Sequence, residues 1–589
     1  MRKALSVLYP GGEEAGEAHS VAIERTQRWL TGEDRVKIYG GVLAYKNFHA
    51  RFPILIKKGN HLTLLQIHGK IWKPGHHDRG FEKQMLENRK IGEYVREAAY
   101  KRWMIENLYP DFNLSIRLCF PNRHYKSTSE NLFRDVAFIN EGADVQAEEI
   151  QDLFVEVPVD RAVEIVLNGN AELPVHPAFR QMTFEQQLDW MGKFREMDRE
   201  KIPFQITGAC NVCAFRKTQA GAGTGDTGCW QENLEPAVRH PRQQVFDLIG
   251  HGNKQHADNG RYFQEEIPPP YGIESFEQVQ KSGGNTISMD QRRALQLLSA
   301  KQTDIPQLWI KEKLLEEIRS VRYPLHFIDF EAATCAIPMT CDAKPYKPVL
   351  FQFSCHTLRS DGRVTHHQWL DQNRQKFTHE EFIRKFLAIP DIGQGTLVQY
   401  SPFEKQALNT LLKGCGNGRN PSDSLAADLK SVIDGPDNMK SARFMDMNRM
   451  VRDFYFNSEL MDGLGLKNVL ISILSTSSYL QNQYSKPVSV HDVEVRLVSP
   501  EKDSCSDPYR KVQENRDRID DGSTAMHAWL YTKTPDCSQE RRSRIHRLLR
   551  RYCTLDSLAL VLIFQDWNHL AGRREPATEG DLILWEERA

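Results

Sequence analysis

The stretch YPLHFIDFEAATCAIP, residues 323–338, places Asp329 and Glu331 inside a run that otherwise has the composition of a buried strand. Residues two apart on a strand project from the same face, so the two carboxylates are predicted to lie side by side, with Phe330 on the opposite face. Two close like charges raise each other's pKa unless a cation neutralises them. A divalent ion such as Mg²⁺ is the natural neutraliser, and a solvated strand face is the alternative interpretation.

The segments that follow this stretch predict a mixed α/β sheet flanked by helices. Their patterns come in the order strand, strand, helix, strand, helix, with the sequences PVLFQFSCHTL, VTHHQWL, THEEFIRKFLAI, GTLVQYS and PFEKQALNTLLK. Consecutive strands followed by alternating helix and strand are typical of mixed α/β folds.

The chain before this stretch is predicted to hold a second α/β region and a connector. Residues 36–72 contain two apolar runs around a Gly-Asn turn signal, which predicts a β-hairpin, and the pattern at 81–108 predicts a helix. The polar segment 236–310 contains strong breakers and is predicted to be connecting structure. Because 589 residues exceed the ~250–300 of a single core, we divide the chain into three parts, 1–205, 206–310 and 311–589.

The composition is that of an ordinary globular protein, with 40% hydrophobic and 26% charged residues. A net charge of −1 gives no whole-chain attraction for a polyanion, so any such site must be a local patch. The N-terminal residues lack the apolar core of a signal peptide, and no run approaches the ~18 apolar residues of a membrane span. We therefore expect a cytoplasmic protein without membrane association. The 11 cysteines are mostly scattered singly, which fits a reducing compartment.

Three later residues extend the carboxylate pair. Glu404 stands at a predicted strand-to-helix junction, from which a carboxylate can face the same cleft. Tyr552 and Asp556 are four apart on a long predicted amphipathic helix and so share one face. Each has an ordinary alternative: Glu404 as a solvated acid in a first helical turn, and Tyr552 as a half-buried core aromatic.

In this order the residues resemble the DEDD exonuclease superfamily with an RNase H-like (DnaQ-like) fold, in its tyrosine-bearing branch. The first motif is Asp329-Phe330-Glu331, the second is YSPFE ending at Glu404, and the third is YCTLD from Tyr552 to Asp556. The second motif departs from the family, since most members carry an Asn before a Phe-Asp or Tyr-Asp where this chain has Ser401 and Glu404. Asp446 follows the second motif and is interpreted as a structural acid.

A narrower resemblance covers more of the chain. The runs HFIDFEAATCAIP, KPYKPVLFQFSCH, YSPFEK, DDGSTAMHAW and RYCTLDSLALV are similar to an uncharacterised bacterial family, over about 310–570. In that family an exonuclease-like domain follows a RecB-like region and a cysteine cluster.

These resemblances imply a metal-dependent 3′-to-5′ exonuclease acting on a single-stranded 3′ end of DNA or RNA. Two Mg²⁺ or Mn²⁺ ions would be held by Asp329, Glu331, Glu404 and Asp556, and Tyr552 would orient the attacking water. The arginine-rich long helix could contact a nucleic-acid backbone through Arg547, Arg550 and Arg551, or form a solvated charged face. The alternative function is a catalytically inactive nucleic-acid-binding or assembly subunit of a defence or repair system.

The sequence CNVCAFRKTQAGAGTGDTGCW supplies Cys210, Cys213 and, after a glycine-rich loop, Cys229. The two-residue spacing lets two thiolates bind one ion, and the loop can return a third. The spacing does not choose among the candidates for a fourth ligand, His240, His251 and Cys119. Zinc and a [4Fe–4S] cluster are both candidates, and unligated cysteines are the structural alternative.

The N-terminal pattern FHARFPILIKKGNHLTLLQIHGKIWKP, with the helix and strand after it, resembles RecB-like nucleases of the PD-(D/E)xK type. The positions that match the metal-binding and catalytic residues of that family are Pro53, Gln66 and His68, and Lys101 stands where a Gln is expected. Pro and Gln cannot replace carboxylate ligands, so the resemblance implies a degenerate, inactive nuclease domain. An ordinary α/β domain without nuclease ancestry is the alternative.

Overall fold

The protein is a mixed α/β structure with two main sheets, seen in a computed structural model. The structure describes residues 1–73, 81–169, 182–196, 206–213, 244–301, 304–374, 376–415, 423–436, 443–460, 463–498, 507–514 and 517–572.

The N-terminal sheet has six strands in the order of the chain. The strands are β1 (Glu13–Glu14), β2 (Arg35–Tyr45), β3 (Phe48–Lys58), β4 (His61–Ile67), β5 (Asn113–Pro121) and β6 (Phe154–Pro158). The predicted hairpin is confirmed, because β3 and β4 pair antiparallel around the turn at Gly59 and Asn60. The pairs β1–β2 and β4–β5 are parallel.

Eight helices accompany this sheet in the described part of the chain. They are α1 (Arg2–Leu8), α2 (His19–Gly32), α3 (Phe81–Glu87), α4 (Arg89–Leu108), α5 (Leu132–Ala137), α6 (Ala147–Ile150), α7 (Asp160–Leu167) and α8 (Phe184–Glu196). The helix predicted at 81–108 is interrupted at Asn88, whose side chain accepts the Ile91 N–H at 3.3 Å and caps α4. The apolar face of α4, with Val95, Ala98 and Met104, packs on the sheet.

The segment before the second sheet is folded rather than a mere connector. It holds α9 (Asn253–Asp258), α10 (Phe276–Lys281), α11 (Met289–Ala300) and the short strand β7 (Leu308–Ile310). The buried Arg292 of α11 donates to the carbonyl oxygens of Val451, Arg452 and Tyr455 at 2.5 to 2.7 Å. The polar composition that predicted connecting structure therefore includes buried polar side chains that pack on the C-terminal region.

The C-terminal sheet has five strands in the order β10-β9-β8-β11-β12. Strand β8 lies at its centre, antiparallel to β9 and parallel to β11. The bounds are β8 (Leu325–Ala333), β9 (Val349–Leu358), β10 (Val364–Leu370), β11 (Thr396–Gln399) and β12 (Phe444–Asp446). The other strands are β13 (Tyr455–Asn457), which pairs with β7, and the pair β14 (Val488–Val490) and β15 (Val493–Val495).

Helices cover both faces of this sheet, as predicted. They are α12 (Glu312–Ser320), α13 (His379–Leu387), α14 (Phe403–Cys415), α15 (Asp423–Asp434), α16 (Met447–Phe454), α17 (Leu466–Thr476), α18 (Ser478–Gln483), α19 (Pro508–Lys511), α20 (Gly522–Thr532) and α21 (Gln539–Leu570). One core lies between the sheet and α21, and a second lies on the opposite face against α13, α14 and α15.

A membrane-spanning helix is not found in the ranges that the structure describes. The longest helix, α21, carries six arginines in its first half, and its second half is buried in the protein core.

Candidate active site

Strand β8 carries Asp329 and Glu331 on the face that turns toward α21. Its neighbouring residues Ile328 and Phe330 enter the opposite core, where the Phe330 ring packs edge-on against Phe382 at 5.2 Å between centroids. This is the alternation that the sequence predicts for a strand with a period of two. Glu331 is buried and Asp329 is half-buried, so neither lies on the solvated strand face of the alternative interpretation.

Helix α21 brings a third carboxylate to the pair. Ligand oxygens of Asp329, Glu331 and Asp556 all lie within 4.8 Å of one another, and we call these three residues the acid cluster. Asp556 accepts a hydrogen bond of 2.5 Å from the Tyr509 hydroxyl. Tyr552, one helical turn before Asp556, is buried beside the cluster, where burial and the charge of Asp556 raise its pKa.

Glu404 lies close to the acid cluster but outside its 4.8 Å limit. It sits in the first turn of α14, directly after β11, at the junction predicted from the sequence. The side chain is only 4% exposed, which excludes a solvated first-turn acid, and its Oε2 atom is buried without a hydrogen-bond partner. Burial and the charge of Asp329 raise the pKa of Glu404 well above its usual range.

The acid cluster holds more negative charge than its protein surroundings neutralise. Burial, and next the charge of Asp556, raise the pKa of Asp329 well above its usual range. Burial and the charges of Asp329 and Asp556 do the same to the pKa of Glu331. Burial raises the pKa of Asp556 from 3.8 to about 6, against the lowering effects of the Tyr509 hydrogen bond and the charge of Lys467.

A divalent metal ion fits this arrangement. The carboxylates of the acid cluster lie close together inside the protein, and their mutual repulsion disfavours ionisation. In addition, a buried oxygen of Glu404 has no hydrogen-bond partner. Carboxylate oxygen is the donor that Mg²⁺ and Mn²⁺ prefer, and a bound cation removes the electrostatic cost of bringing such groups together.

Several residues at the site were not predicted from the sequence. The ammonium group of Lys467 lies 4.4 Å and 4.7 Å from the ring centroids of Tyr509 and Tyr552, beside the cluster. The Cys553 thiol donates to Asp329 Oδ2 at 3.2 Å. Lys467 and Tyr509 lie in separate segments, and no fixed sequence distance links either residue to one of the three motifs. Cys553 lies three residues before Asp556 on a predicted helix, so its place at the site could have been predicted.

Asp446 has the structural role predicted for it. Its side chain accepts the backbone N–H of Arg449 at 3.2 Å, capping α16, and the N–H of Ser401 at 3.1 Å. The second bond holds Ser401 in a left-handed conformation, with φ of 103°, just before Glu404. Asp446 therefore shapes the turn that delivers Glu404.

Two of the three arginines predicted to contact nucleic acid already form ion pairs within the protein. Arg551 bonds to Asp492 at 2.6 Å and to Glu514 at 3.2 Å, and Arg547 bonds to Glu514 at 3.0 Å. Arg550 is half-buried and forms no ion pair within the described ranges. Two of the three predicted contacts thus lie in a network of opposite charges, and nucleic-acid binding by this helix stays a prediction.

The cysteine cluster is described only in part, since Cys229 and His240 lie outside the described residues. Cys210 is half-buried in the short 3₁₀ helix Gly208–Val212, and Cys213 follows it and is exposed. Among the residues that the structure describes, neither joins a third ligand: Cys119 lies on β5 and is buried in the core. Zinc or an iron–sulfur cluster therefore stays a prediction.

The positions that match the PD-(D/E)xK site hold no carboxylate pair. Gln66 is 1% exposed, with neither polar atom of its amide hydrogen-bonded. The His68 ring stacks on Tyr94 at 3.7 Å between centroids, and burial lowers its pKa to about 4. Lys101 forms an ion pair with Glu97 at 2.6 Å.

Comparison with known protein families finds one match. The family described as a domain of unknown function (DUF2779) matches residues 326–464. This range contains Asp329, Glu331 and Glu404 but ends before Tyr552 and Asp556. No curated protein and no solved structure matches the chain. The C-terminal region is thus similar to a family of unknown function over residues 326–464, and the RecB-like and DEDD-type identities stay predictions.

Proposed function

We propose that this protein is a metal-dependent 3′-to-5′ exonuclease that hydrolyses phosphodiester bonds of DNA or RNA. The observation that carries the proposal is the acid cluster, in which carboxylates from β8 and α21 meet within 4.8 Å. A buried carboxylate site of this kind suits hard divalent ions, which such enzymes use for in-line displacement at phosphorus. The 3′-to-5′ polarity rests on the resemblance of the three motifs alone.

The architecture around the cluster supports an RNase H-like fold. The two acids of the first motif lie on the central strand of a mixed sheet, and Glu404 follows the neighbouring parallel strand. Because β8 and β11 run parallel, the segments that follow them leave the sheet at the same edge. The long helix α21 packs across β8 and β9 and closes the site from one face.

In the proposed reaction, the carboxylates bind metal and Tyr552 orients water. Asp329, Glu331 and Asp556 would hold the metal ions, with Glu404 as the fourth carboxylate. When bound, these ions supply Lewis-acid chemistry that lowers the pKa of water and neutralises charge on the phosphate. Burial and the neighbouring carboxylates raise the pKa of Tyr552, so its phenol stays protonated and can donate a hydrogen bond that orients water.

Lys467 is a positioning residue in this proposal. Its ammonium group donates to the carbonyl oxygen of Asp520 and lies against the rings of Tyr509 and Tyr552. The same charge favours the ionised forms of Asp329, Glu331 and Asp556. Lys467 thus holds both tyrosines in place and keeps the cluster ready for metal.

We also propose that the N-terminal unit is a RecB-like fold without nuclease activity. Support comes from the side chains at the positions that match the PD-(D/E)xK site. Gln66, His68 and Lys101 stand there, and none of them is a carboxylate that could bind the metal. Glu97, a carboxylate beside His68, is already paired with Lys101.

The test uses purified protein with 5′-labelled single strands of DNA and of RNA, in Mn²⁺ or Mg²⁺. We expect stepwise shortening from the 3′ end, which EDTA abolishes. Asp329→Asn and Asp556→Asn should be as inactive as the EDTA control. Asp566→Asn is the matched control, because Asp566 is a buried acid on the same helix that accepts from Ser477 and lies outside the cluster.

A wild-type protein that binds the strands without shortening them would contradict the exonuclease proposal. That result would favour the inactive nucleic-acid-binding subunit. Shortening that survives Asp329→Asn and Asp556→Asn would place the activity elsewhere and also contradict the proposal.

A further inference from the structure

A cationic cavity lies where the N-terminal unit meets the C-terminal one. The cavity is open to solvent on one side, and its polar lining consists of two amides and four cations, Asn131, Asn373, Arg134, Arg374, Lys376 and Lys533. Backbone hydrogen bonds join the two units there, from Phe133 N–H to Pro338 O at 3.2 Å and from Asp342 N–H to Ser127 O at 2.8 Å. The cavity is therefore built from both units.

Lys533 is the fixed part of the cavity wall. Its ammonium group donates to Asp371 Oδ2 at 2.6 Å, to Asp371 O at 3.2 Å and to Asn373 O at 2.8 Å. All three donors of the ammonium group are thus used, and its charge is balanced by Asp371. Lys533 therefore holds the loop after β10 in place. Because its donors are already used, a ligand in the cavity would be bound by the other cations.

The two arginines are incompletely satisfied. Arg134 and Arg374 lie over the same Phe138 ring, at 5.7 Å and 5.1 Å from its centroid, and the Nε of each is buried without a hydrogen-bond partner. Arg134 has an ion pair with Asp135 at 2.9 Å. Arg374 donates to Thr534 O at 3.3 Å and forms no ion pair with any carboxylate of the described ranges. A guanidinium that lines a cavity and has no ion-paired carboxylate, as Arg374 does within the described ranges, suits a phosphate group.

Lys376 lies at the exposed side of the cavity. It forms an ion pair with Glu130 at 2.5 Å, and both side chains are about half exposed to solvent. Such an exposed pair contributes little to stability, so Lys376 can exchange its partner for an anionic ligand at low cost.

The sheet relates this cavity to the acid cluster. Glu331 on β8 is paired with Gln352 on β9, and Gln352 is paired with Leu370 on β10, the residue before Asp371. Two strand spacings of about 4.8 Å, roughly 10 Å in all, separate Glu331 from Leu370 along the same edge of the sheet. The cavity residues Asn373, Arg374 and Lys376 follow Leu370 and lie beyond this distance, which at 3.4 Å per stacked nucleotide already corresponds to about three nucleotides.

We infer that the cavity binds a backbone phosphate of the strand whose 3′ end lies at the acid cluster. The inference rests on the proposed exonuclease function and adds to it a contact at least about three nucleotides upstream of the cleaved bond. Arg374 and Lys376 bind the phosphate, and the nearby positive charge of Arg134 also attracts it. Free phosphate has the same chemistry as the backbone group, and the test separates the two.

The test measures binding to 5′-fluorescein-labelled single strands of twelve and of two nucleotides by fluorescence anisotropy, in EDTA and over a range of salt concentrations. For Arg374→Ala we expect the Kd of the long strand to rise about tenfold. The dependence of log Kd on log salt should become shallower by about 0.7, which corresponds to one lost phosphate contact. Lys376→Ala, which cannot disturb the core, should act in the same direction. The short strand, which does not reach the cavity, should bind all variants equally.

Arg359→Ala is the matched control, because Arg359 follows the far end of β9 and pairs with Asp391 at 2.8 Å. It should bind both strands as the wild type does. Unchanged Kd and salt dependence in both cavity variants would overturn the inference. Titration with inorganic phosphate that depends on Arg374, while long-strand binding does not, would also overturn it and assign the cavity to free phosphate.

Cleavage of the long strand in Mn²⁺ is recorded separately, so that the two proposals fail in different ways. A wild type that binds through Arg374 but never cleaves refutes the exonuclease and keeps the phosphate site. A wild type that cleaves, with binding independent of Arg374 and Lys376, refutes the phosphate site and keeps the exonuclease.

Discussion

Asp556→Asn should stabilise the metal-free protein while abolishing its response to metal. Asparagine removes one charge from the acid cluster and keeps an oxygen that can accept from the Tyr509 hydroxyl. It also removes the repulsion that Asp556 exerts on Asp329 and Glu331. A site arranged for a cation is costly to the folded protein when that cation is absent, and the substitution should release that cost.

The magnitude follows from the pKa of Asp556, which burial raises from 3.8 to about 6. The folded protein then binds more protons than the unfolded chain between these values, so stability is greatest below about pH 4 and falls as the pH rises to about 6. A rise of this size corresponds to about 3 kcal/mol at neutral pH. For a domain of this size the variant should therefore melt roughly 6–12 °C higher than the wild type in EDTA at pH 8.

Thermal unfolding in EDTA at pH 5 to 8, and again in millimolar Mn²⁺, tests this reasoning. The wild type should lose stability as pH rises and regain it with Mn²⁺, whereas Asp556→Asn should respond less to pH and not to the metal. Asp566→Asn, on the same helix, should keep the full response to Mn²⁺. The reasoning is refuted if Asp556→Asn melts at or below the wild-type temperature in EDTA at pH 8, or if it gains as much from Mn²⁺.

Three further outcomes are expected. Tyr552→Phe should lower turnover about tenfold or more through loss of one hydrogen bond while keeping the Mn²⁺-dependent stabilisation, and a variant without that stabilisation would contradict a role in orienting water. Phe330→Ala should cost about 3–5 kcal/mol in urea unfolding, because the ring is buried against Phe382 and Phe386, and a cost below 1 kcal/mol would be inconsistent with this packing. Cys213→Ser should lose bound zinc or iron in metal analysis, whereas Cys341→Ser, outside the cluster, should keep it; equal metal content in both would exclude a metal at Cys213.

Local patterns predicted much of the C-terminal sheet. The strand containing Asp329 and Glu331 was predictable because apolar residues flank both acids and the period of two separates them from Phe330. The junction at Glu404 was predictable because a short apolar strand ends directly before a helical pattern. In these segments the residues that decide the structure are neighbours in the sequence.

Contacts between distant segments were not predictable in this way. Lys467 and Tyr509 reach the cluster from α17 and α19, and nothing in their own neighbourhoods distinguishes them from surface residues. The segment 244–301 shows a related limit, since hydrophobic patterns assign polar residues to the surface. Arg292 is buried there because backbone carbonyls of another segment accept hydrogen bonds from its guanidinium.

The distribution of charge partners separates the two surfaces that could guide a nucleic-acid strand. On α21, Arg547 and Arg551 are matched by carboxylates, so a phosphate that binds there must displace Asp492 and Glu514. In the cavity, Arg374 has no such competitor among the described residues. At α21 a phosphate therefore meets two carboxylates that stay nearby and repel it, whereas among the cations proposed to attract it in the cavity only Lys376 and Arg134 have carboxylate partners in the described ranges, Glu130 and Asp135. Under the proposed function, the seam between the two units would be the better path for the strand, and the N-terminal unit would take part in substrate binding without a catalytic residue of its own.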